Sequence, residues 1–305
     1  MTLEDIFGSG NAKRQLERLE AELPDIRDTL WKIYQKHENN CDTGNENREK
    51  KLEKYESDIA GMFNCRKYIY HVSSRIKAPE KLVKKIVDRL YQGRRHYLHI
   101  NEKNYHKIVT DLIGIKLIHR FPDEWVSINE LIYQLFYKGD ESFVNSYEQD
   151  YRDDLEEAFL IEKPVVYYLP GEDLSIYFRA EEQMGRALFQ YVPKTNYHSV
   201  HYLINYRGNY MEIQVRTLSD ELWSEVEHDL VYKQEITALK DKLSEAAKLL
   251  RSVLRAVDEI SMYMKKQIDQ EETEAEKYWG RGRKQLKEAV EIMTKKGEED
   301  HGKQM

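Results

Sequence analysis

The spacing of apolar residues changes several times along the chain, and each change predicts a new element. Over 11–37 they recur every three or four residues, which predicts a helix that Pro24 interrupts. After a polar loop, a similar spacing predicts a second helix over about 47–63. We interpret this N-terminal helical hairpin, residues 1–65, as a packing element. Alternation over 67–75 then indicates the first strand.

Further elements follow in the middle of the chain. The apolar run 109–119 predicts a buried strand, and a helix is predicted shortly after it. Acidic residues crowd the segment from about 138 to 163, which we interpret as a solvated insertion, with a lid or a specificity surface as the alternative. Two β-rich runs, 164–170 and 174–178, predict strands on either side of a turn at Gly171.

The stretch 210–233 joins a strand to a helix. Its first half alternates, so three apolar side chains lie on one face of the strand and three polar ones on the other. The apolar set is Met211, Ile213 and Val215, and the polar set is Glu212, Gln214 and Arg216. Thr217 then caps a helix on which Trp223, Val226 and Leu230 form a core stripe. An edge strand followed by an amphipathic helix would give the same pattern, so this stretch alone leaves its function open.

The pattern of the last part of the chain, residues 234–305, predicts long helices, the last of them charged, and a disordered tail after about Lys296. From Ile236 to Met264, apolar residues keep a spacing of three and four over about four heptads. Such a stripe either forms the seam of a homo-oligomer or packs on the N-terminal helices. We expect a homo-oligomer that assembles through the terminal helices.

Composition narrows the class of protein. The chain has 305 residues, of which 40% are hydrophobic and 34% charged, with a net charge of −7. Such an acidic balance argues against a general nucleic-acid binder. No apolar run approaches the roughly 20 residues that span a bilayer. The N-terminus lacks the apolar core of a signal peptide, and Cys41 and Cys65 form no metal-binding spacing. We therefore expect a cytoplasmic location and no membrane partner.

One segment departs from this acidic balance. Between Arg75 and Arg95 there are eight Lys or Arg residues and two acids, Glu80 and Asp88. A helix that needed only solubility would mix its charges, whereas a face that binds polyphosphate needs a positive donor for each phosphate. A solvated basic face remains the alternative.

Four ordered motifs resemble the RelA/SpoT-type nucleotide pyrophosphokinases, in their alarmone synthetase domain. They are SSRIKAPEKLVKKI at 73–86, DLIGIKLI at 111–118, NYHSVHY at 196–202, and EIQVRT followed by LWxxxEHxxxYK within 210–233. The resemblance implies an α+β fold, with a mixed, largely antiparallel five-stranded sheet of nucleotidyltransferase-like type flanked by helices. It places this synthetase domain at 66–233. Residues 1–65 are too few for the hydrolase domain of long family members, so synthesis without degradation is expected.

The resemblance also assigns ATP-binding and metal-binding residues. It places Arg75, Lys77, Lys81, Lys85 and Lys116 at ATP, with Lys81 where the family commonly has Ser and Lys116 where many members have Arg. It gives Asp111 and Glu212 the role of holding Mg²⁺. Glu212, on the strand nearest the acceptor motif, is also the better candidate for polarising or deprotonating the attacking hydroxyl. An acid that enters an apolar strand, as Asp111 does, is costly unless it is paired or bound to metal.

The acceptor site is assigned in the same way. The resemblance places Tyr197 where the family stacks guanine, and Asn196 where it usually has Gly. The full acceptor set is Lys194, Asn196, Tyr197, His201, Gln214, Arg216, His228 and Lys233. Tyrosine is a flat, amphipathic platform that suits base stacking, although cross-strand packing is its commoner role.

The function implied is Mg²⁺-dependent transfer of pyrophosphate from ATP to the ribose 3′-hydroxyl of GDP or GTP, which yields AMP and a (p)ppGpp-type alarmone of the stringent response. The first alternative is the toxic branch of the family that modifies the 3′ end of tRNA in the same way. A catalytically silent interaction module is a weaker alternative, because Arg75, Asp111, Tyr197 and Glu212 occur together. A metal-dependent hydrolase fails because no further His and Asp clusters accompany His228.

Overall fold

A computed structural model of the chain describes residues 2–8, 10–41, 51–139, 158–185, 187–195, 197–232 and 237–301. Its α-helices are α1 Leu3–Phe7, α2 Asn11–Glu22, α3 Ile26–Cys41, α4 Lys51–Gly61, α5 Pro79–Tyr91, α6 Tyr105–Ile108, α7 Glu124–Phe136, α8 Ser175–Met184, α9 Leu218–Val226 and α10 Thr237–His301. Its strands are β1 His71–Ile76, β2 Ile113–His119, β3 Phe159–Leu160, β4 Val165–Tyr168, β5 Gln190–Pro193, β6 Ser199–Tyr206 and β7 Asn209–Thr217.

All these strands join one mixed sheet, in the order β1-β2-β7-β6-β4-β5, with the two-residue β3 also paired to β6. The β2–β7 and β4–β5 pairs are parallel, and the other pairs are antiparallel. The α+β class and the mixed, largely antiparallel sheet flanked by helices are therefore confirmed. Seven strands join the sheet within the described residues, where the sequence indicated five.

The two faces of the sheet differ in burial. One face packs on α4, α7 and α8 in the main core, through residues such as Ile115, Ile213 and Tyr202, each fully buried. A second core joins α1, α2 and α3 to the apolar side of α5. Burying a Leu, Ile or Val side chain contributes about 1.5–3 kcal/mol, and α5 buries five such side chains. The basic side of α5 is thereby turned away from the N-terminal helices.

The N-terminal helices do more than fill space. His37 of α3 is fully buried, and its Nε2–H donates to the main-chain carbonyl of Lys77 at 2.7 Å. Burial lowers the pKa of His37, so the ring is neutral and the donated bond is retained at neutral pH. The same segment is tied on its other side, where the Lys77 N–H donates to the Leu112 carbonyl at 2.8 Å. α3 therefore helps to fix the backbone between β1 and α5.

Several sequence predictions are corrected in detail. The run 174–178 is the start of α8 and not a strand. Its β-rich residues continue into good helix formers, Tyr177 and Ala180 share the buried side, and Gly185 ends the helix in a left-handed conformation at φ 66°. Asp111 lies in the turn that precedes β2, two residues before the strand begins. The break near Pro24 is confirmed by the separation of α2 from α3.

The helix after β7 changes geometry near its end. Trp223 is buried as expected, but Leu230 is 55% exposed, and its neighbour Val231 is buried instead. A π-helical turn, Glu227–Tyr232, follows α9. A π-helical turn contains one more residue than an α-helical turn, so the side chain that points into the core is that of Val231 instead of Leu230.

α10 is a single continuous helix that runs to His301, where the sequence indicated several helices and a disordered tail after about Lys296. Near its start, Ala247 accepts a hydrogen bond from the indole N–H of Trp223 at 3.0 Å. Apolar residues of the predicted stripe are exposed, namely Leu239, Val253, Val257, Ile260 and Met264. The chain divides into two compact units, Met1–Arg251 and Ser252–Met305. The homo-oligomer stays a prediction.

In the described part of the chain no helix has the length and apolar character of a membrane span.

Replacing His37 by Phe should lower the free energy of unfolding by about 1–3 kcal/mol, because the Lys77 carbonyl loses its buried donor while the ring volume is kept. Urea denaturation followed by circular dichroism measures the change. The matched control is Lys36→Ala on the exposed side of the same helix, which should stay within about 0.5 kcal/mol of the parent protein. Equal stabilities of the His37→Phe variant and the parent would contradict the role given to His37.

Candidate active site

The face of the sheet opposite the main core carries a row of polar side chains. On β7 these are Glu212, Gln214 and Arg216, as the alternation predicted. The register places Gly114 and Lys116 of β2 beside Glu212 and Gln214, and His201 of β6 opposite Gln214. Residues directly paired across strands point to the same face, so three neighbouring strands contribute to one surface.

Four of these side chains close a ring of hydrogen bonds with Tyr197, which precedes β6. Arg216 donates through Nη2 to the Tyr197 hydroxyl at 2.8 Å and also to Gln214 Oε1. The Gln214 amide donates to Glu212 Oε2 at 2.5 Å. His201 joins Glu212 Oε1 through Nδ1 at 2.9 Å and the Tyr197 hydroxyl through Nε2 at 2.7 Å. We call this the Glu212 ring.

The hydrogen bonds of the Glu212 ring lead from a guanidinium to a carboxylate. Arg216 donates to Gln214, which donates to Glu212 Oε2, and His201 donates through Nδ1 to Glu212 Oε1. Arg216 also donates to the Tyr197 hydroxyl, which is hydrogen-bonded to His201. The guanidinium, only 3% exposed, is the source of donors, and the carboxylate is their acceptor. The ring therefore holds Glu212 in a fixed position and in its ionised form.

The pKa of Glu212 reflects this arrangement. Burial alone would raise the pKa, but the charge of His201 and the hydrogen bonds from His201 and Gln214 outweigh it and lower the pKa to about 2. Glu212 is therefore a carboxylate throughout the physiological range and a weak proton acceptor.

Arg216 also connects the ring to α9. Its Nη1 donates to Glu221 Oε2 at 2.9 Å, and Lys116 of β2 donates to Glu221 Oε1 at 2.5 Å and to Glu225 at 2.7 Å. Lys116, expected at ATP, is thus held by two acids of α9. The side chains of Lys116 and Glu221 are each about a fifth exposed.

The start of α9 is fixed by a second polar cluster. Asp220 completes a capping box with Thr217 and pairs with Arg251 of α10 at 2.5 Å. Its other oxygen lies 2.7 Å from His198 Nδ1, and His198 Nε2 lies 3.0 Å from the Tyr177 hydroxyl. Burial would lower the pKa of His198, but the Asp220 carboxylate outweighs it and raises the pKa. This buried cluster places Glu221 within reach of Arg216.

A basic cluster surrounds Asp111. Lys77 lies 3.0 Å from Asp111 Oδ2, and Lys85 of α5 lies 2.7 Å from Oδ1. Burial would raise the pKa of Asp111, but the two ammonium groups lower it. At Lys85, the charge of Asp111 would raise the pKa of the amine, but burial has the larger effect and lowers it. The Arg75 side chain lies over Gly114, and Lys81 is exposed.

Asp111 and Glu212 belong to adjacent parts of this surface. The negative charge of Glu212 raises the pKa of Asp111, and the positive charge of Lys85 lowers the pKa of Glu212, so the two clusters interact electrostatically. Each carboxylate is about a fifth exposed. Two ionised, accessible carboxylates suit a Mg²⁺ ion, which takes hard oxygen ligands and completes its shell with water and phosphate. In the described part of the chain, no three or more His, Cys, Asp or Glu side chains are grouped so that they could hold a metal ion.

The other expected acceptor residues are placed differently. Lys194 lies with its ammonium 5.3 Å from the centre of the Tyr167 ring. His228 lies outside the Glu212 ring, exposed on the π-helical turn, with Nδ1 3.3 Å from Asp229. Asn196 and Lys233 fall outside the described residues, as does most of the acidic segment 138–163.

Sequence reasoning did not select Tyr167 and Glu162. The Tyr167 ring packs against the rings of Tyr197 and His201, with centroids 5.7 Å and 4.7 Å apart. Period-2 alternation along β4 was the only signal for Tyr167. Glu162 lies between β3 and β4, and its pKa is raised by burial and then by the charge of Glu212. Nothing in the local pattern distinguished it from the neighbouring acids.

A cavity of about 230 Å³ opens beside the ring. Glu162, His201 and Glu212 supply acidic and imidazole groups to its wall, and Ile161 and Leu203 supply apolar ones. It therefore combines hydrogen-bonding groups with an apolar floor, as small-molecule sites commonly do.

Comparison with known proteins supports the resemblance. A family described as a region found in RelA / SpoT proteins matches residues 74–237. No curated protein matches the chain.

The chain is weakly similar to several solved structures. Small alarmone synthetase 1 from Bacillus subtilis, bound to its product pppGpp, is 17% identical and has a TM-score of 0.41, with 84% of this chain and 99% of that chain covered. A GTP pyrophosphokinase family protein from Streptococcus pneumoniae is 16% identical, with a TM-score of 0.42 and coverage of 82% and 95%. Small alarmone synthetase 2 from B. subtilis is 21% identical, with a TM-score of 0.38 and coverage of 78% and 97%.

The lowered pKa of Glu212 predicts a specific acid sensitivity. A carboxyl whose pKa falls from 4.5 to about 2 on folding adds stability above pH 4.5, and that stability is lost as the pH falls toward 2. At about 1.4 kcal/mol per pKa unit, the stability advantage of the parent protein over Glu212→Gln should shrink by about 3 kcal/mol between pH 6 and pH 2. Urea titrations without metal at several pH values measure it. A pH-independent difference would contradict the prediction.

Proposed function

Because the chain belongs to the RelA/SpoT family, whose region covers more than half of it, we propose that it transfers pyrophosphate from ATP to the ribose 3′-hydroxyl of GDP or GTP. The products are AMP and a (p)ppGpp-type alarmone. The observation that carries the proposal is the adjacency of two charged clusters on one open face: the lysines around Asp111 and the Glu212 ring. The lysines around Asp111 suit the polyphosphate of the donor, and the Glu212 ring suits the nucleoside of the acceptor.

The basic cluster is the donor end. Arg75, Lys77, Lys81 and Lys85 clamp the ATP phosphates, and Lys116 remains a candidate for the adenine side once ATP competes with Glu225. In the structure, Lys77 and Lys85 are paired with the Asp111 carboxylate. When ATP binds, its phosphate oxygens replace this carboxylate as acceptors for the two lysines. Charge-assisted bonds of this kind are among the strongest that side chains form.

The Glu212 ring is the acceptor end. Tyr197 stacks on the guanine, and Lys194 and Arg216 supply positive charge beside it. The guanidinium of Arg216 lies 5.3 Å from the centre of the Tyr197 ring, which fixes this stacking platform before the acceptor binds. His201 and Gln214 hold Glu212 in place. Asn196, His228 and Lys233 remain proposed acceptor contacts.

The reaction needs alignment and charge neutralisation. The acceptor 3′-oxygen forms a bond to the β-phosphorus of ATP, and the bond from that phosphorus to the oxygen bridging to the α-phosphorus breaks. AMP leaves with the bridging oxygen, and the hydroxyl proton passes to solvent or a nearby acceptor. Because the pKa of Glu212 is about 2, its part is to accept a hydrogen bond from the hydroxyl and orient it. Asp111 and Glu212 would hold Mg²⁺, which when bound neutralises charge on the phosphates.

Transfer to the 3′ end of tRNA is the alternative, because the same chemistry would apply to a terminal ribose. Arg94 and Arg95 are exposed and would favour a polynucleotide. His96, the third basic residue there, lines the cavity beside Glu212, where it would contact a nucleotide bound in that cavity. GDP and GTP therefore remain the preferred acceptors.

The proposal is tested by incubating the purified protein and Mg²⁺ with β-labelled ATP and GDP, GTP or deacylated tRNA, followed by separation of the products. Label in the guanine nucleotide is expected. Glu212→Gln should slow transfer by at least about 100-fold, because the charge beside the reacting hydroxyl is lost, with a near-native circular dichroism spectrum. Label in tRNA alone would favour the alternative, and no transfer to any acceptor would overturn the proposal.

Tyr197→Ala should raise the KM for the guanine acceptor by about 10- to 100-fold, since stacking on a base contributes about 1–3 kcal/mol, while the KM for ATP changes little. The control is Tyr197→Phe, which keeps the stacking face and removes the hydroxyl from the Glu212 ring. It should retain the acceptor KM and lower kcat. Equal effects of Tyr197→Ala on both substrates would remove Tyr197 from the acceptor site.

A further inference from the structure

The cavity beside the Glu212 ring contains an acid that the proposed mechanism does not use. Its volume of about 230 Å³ far exceeds the roughly 10–15 Å³ that one water needs. Glu162 lines it together with Glu212 and His201. Because Glu162 shares this cavity with Glu212, its carboxyl group would contact the part of a bound acceptor that lies next to the reacting hydroxyl.

The backbone around Glu162 is fixed. On one side, the Ile161 N–H donates to the Leu203 carbonyl of β6 at 3.1 Å. On the other side, the Pro164 carbonyl accepts from the Gln190 N–H at 2.9 Å, at the start of β5. Glu162 is therefore held between two sheet bonds. Groups on such supported backbone bind ligands with defined geometry.

Glu162 also differs from the other acids of the open face in its partners. Both oxygens of Glu212 are bound by the ring, both oxygens of Glu221 are bound by Lys116 and Arg216, and Asp111 is paired with two lysines. Glu162 forms no hydrogen bond or ion pair with any residue that the structure describes. A partly buried carboxylate without a partner is unfavourable, which a donor from a ligand would relieve.

We propose that Glu162 accepts a hydrogen bond from the 2′-hydroxyl of the acceptor ribose, and that it is the residue by which the site distinguishes ribonucleotides from deoxyribonucleotides. This inference rests on the proposed function, which places the 3′-hydroxyl at Glu212. The 2′-hydroxyl is the neighbour of that group on the same face of the sugar. Two carboxylates facing one cavity are bridged by such a cis-diol, each accepting from one hydroxyl.

The chemistry of the cavity supports this choice of ligand group. A carboxylate accepts hydrogen bonds and does not donate them, so it selects hydroxyl or amine hydrogens over phosphate or carbonyl oxygens. Acidic side chains bind ribose hydroxyls in other nucleotide folds, and the 2′-hydroxyl is the group by which proteins tell the two sugars apart. Ile161 and Leu203 give the sugar ring an apolar surface to rest on.

The test compares GDP with 2′-deoxy-GDP as acceptors for the parent protein and two variants. Glu162→Leu removes the acceptor oxygens at similar volume, and Glu162→Gln keeps one. The parent protein should prefer GDP by about 10- to 100-fold in kcat/KM, as expected for a hydrogen bond to a charged group. Glu162→Gln should retain part of this preference. Glu162→Leu should use both acceptors equally, chiefly because GDP loses its advantage.

Glu130→Gln, on the exposed side of α7, is the matched control and should retain the full preference. A Glu162→Leu protein that transfers pyrophosphate and still prefers GDP as strongly as the parent would overturn the role of Glu162 alone. If Glu162→Leu does not fold, an undiminished preference in Glu162→Gln together with an unchanged KM for GDP would also overturn it. No transfer by the parent protein to any acceptor would overturn the proposed function, and this inference with it.

Discussion

The candidate site depends on the hydrogen bonds that lead from Arg216 through Gln214 to Glu212. A nearly buried guanidinium must place its donors, and a largely buried carboxylate must accept some, or each costs several kcal/mol. The ring binds both oxygens of Glu212 and the Nη2 group of Arg216 through side chains from β6, β7 and the segment that precedes β6. Because these strands pair directly, the sheet register sets the geometry of the ring. The same guanidinium reaches Glu221, so the position of α9 depends on it as well. Loss of Arg216 would therefore disturb several side chains that touch no phosphate.

The fold brings this ring next to a cluster that is built independently. Asp111 and its lysines come from the β1–α5 segment and the turn before β2, which α3 supports through His37. Parallel pairing of β2 with β7 then sets Gly114 beside Glu212. Two lysines surround the single carboxylate of Asp111, so the basic cluster keeps a net positive charge, whereas the charge of Glu212 is balanced by that of Arg216. The polyphosphate proposed to bind there would exchange partners within the basic cluster and leave the Glu212 ring in place.

Local sequence pattern predicted those parts of the site that lie on one strand. Glu212, Gln214 and Arg216 share a face because alternation in a strand is obligatory, and α5 shows its basic side because its apolar residues pack on α1–α3. Features that arise between distant segments were not predictable in this way. The bonding of Lys116 to α9, the packing of Tyr167 on Tyr197 and the contact of His37 with Lys77 depend on tertiary structure. The strand assigned at 174–178 was wrong because β-branched and aromatic residues also suit a helix whose buried side is apolar.

The distribution of partners among the acids indicates how stability and specificity are separated at this surface. Acids whose oxygens are bound within the protein, such as Glu212 and Glu221, contribute to a fixed framework and present a constant charge to any ligand. Such groups discriminate poorly between similar substrates, because their bonds are already made. A site distinguishes similar substrates where one of its polar groups has no partner within the protein. The correct substrate supplies that partner, and a substrate that lacks the matching group leaves the polar group unpaired. On the described part of the open face, Glu162 meets that condition. The framework acids thus determine what reaction the surface can support, and the unpaired acid determines which sugar it accepts.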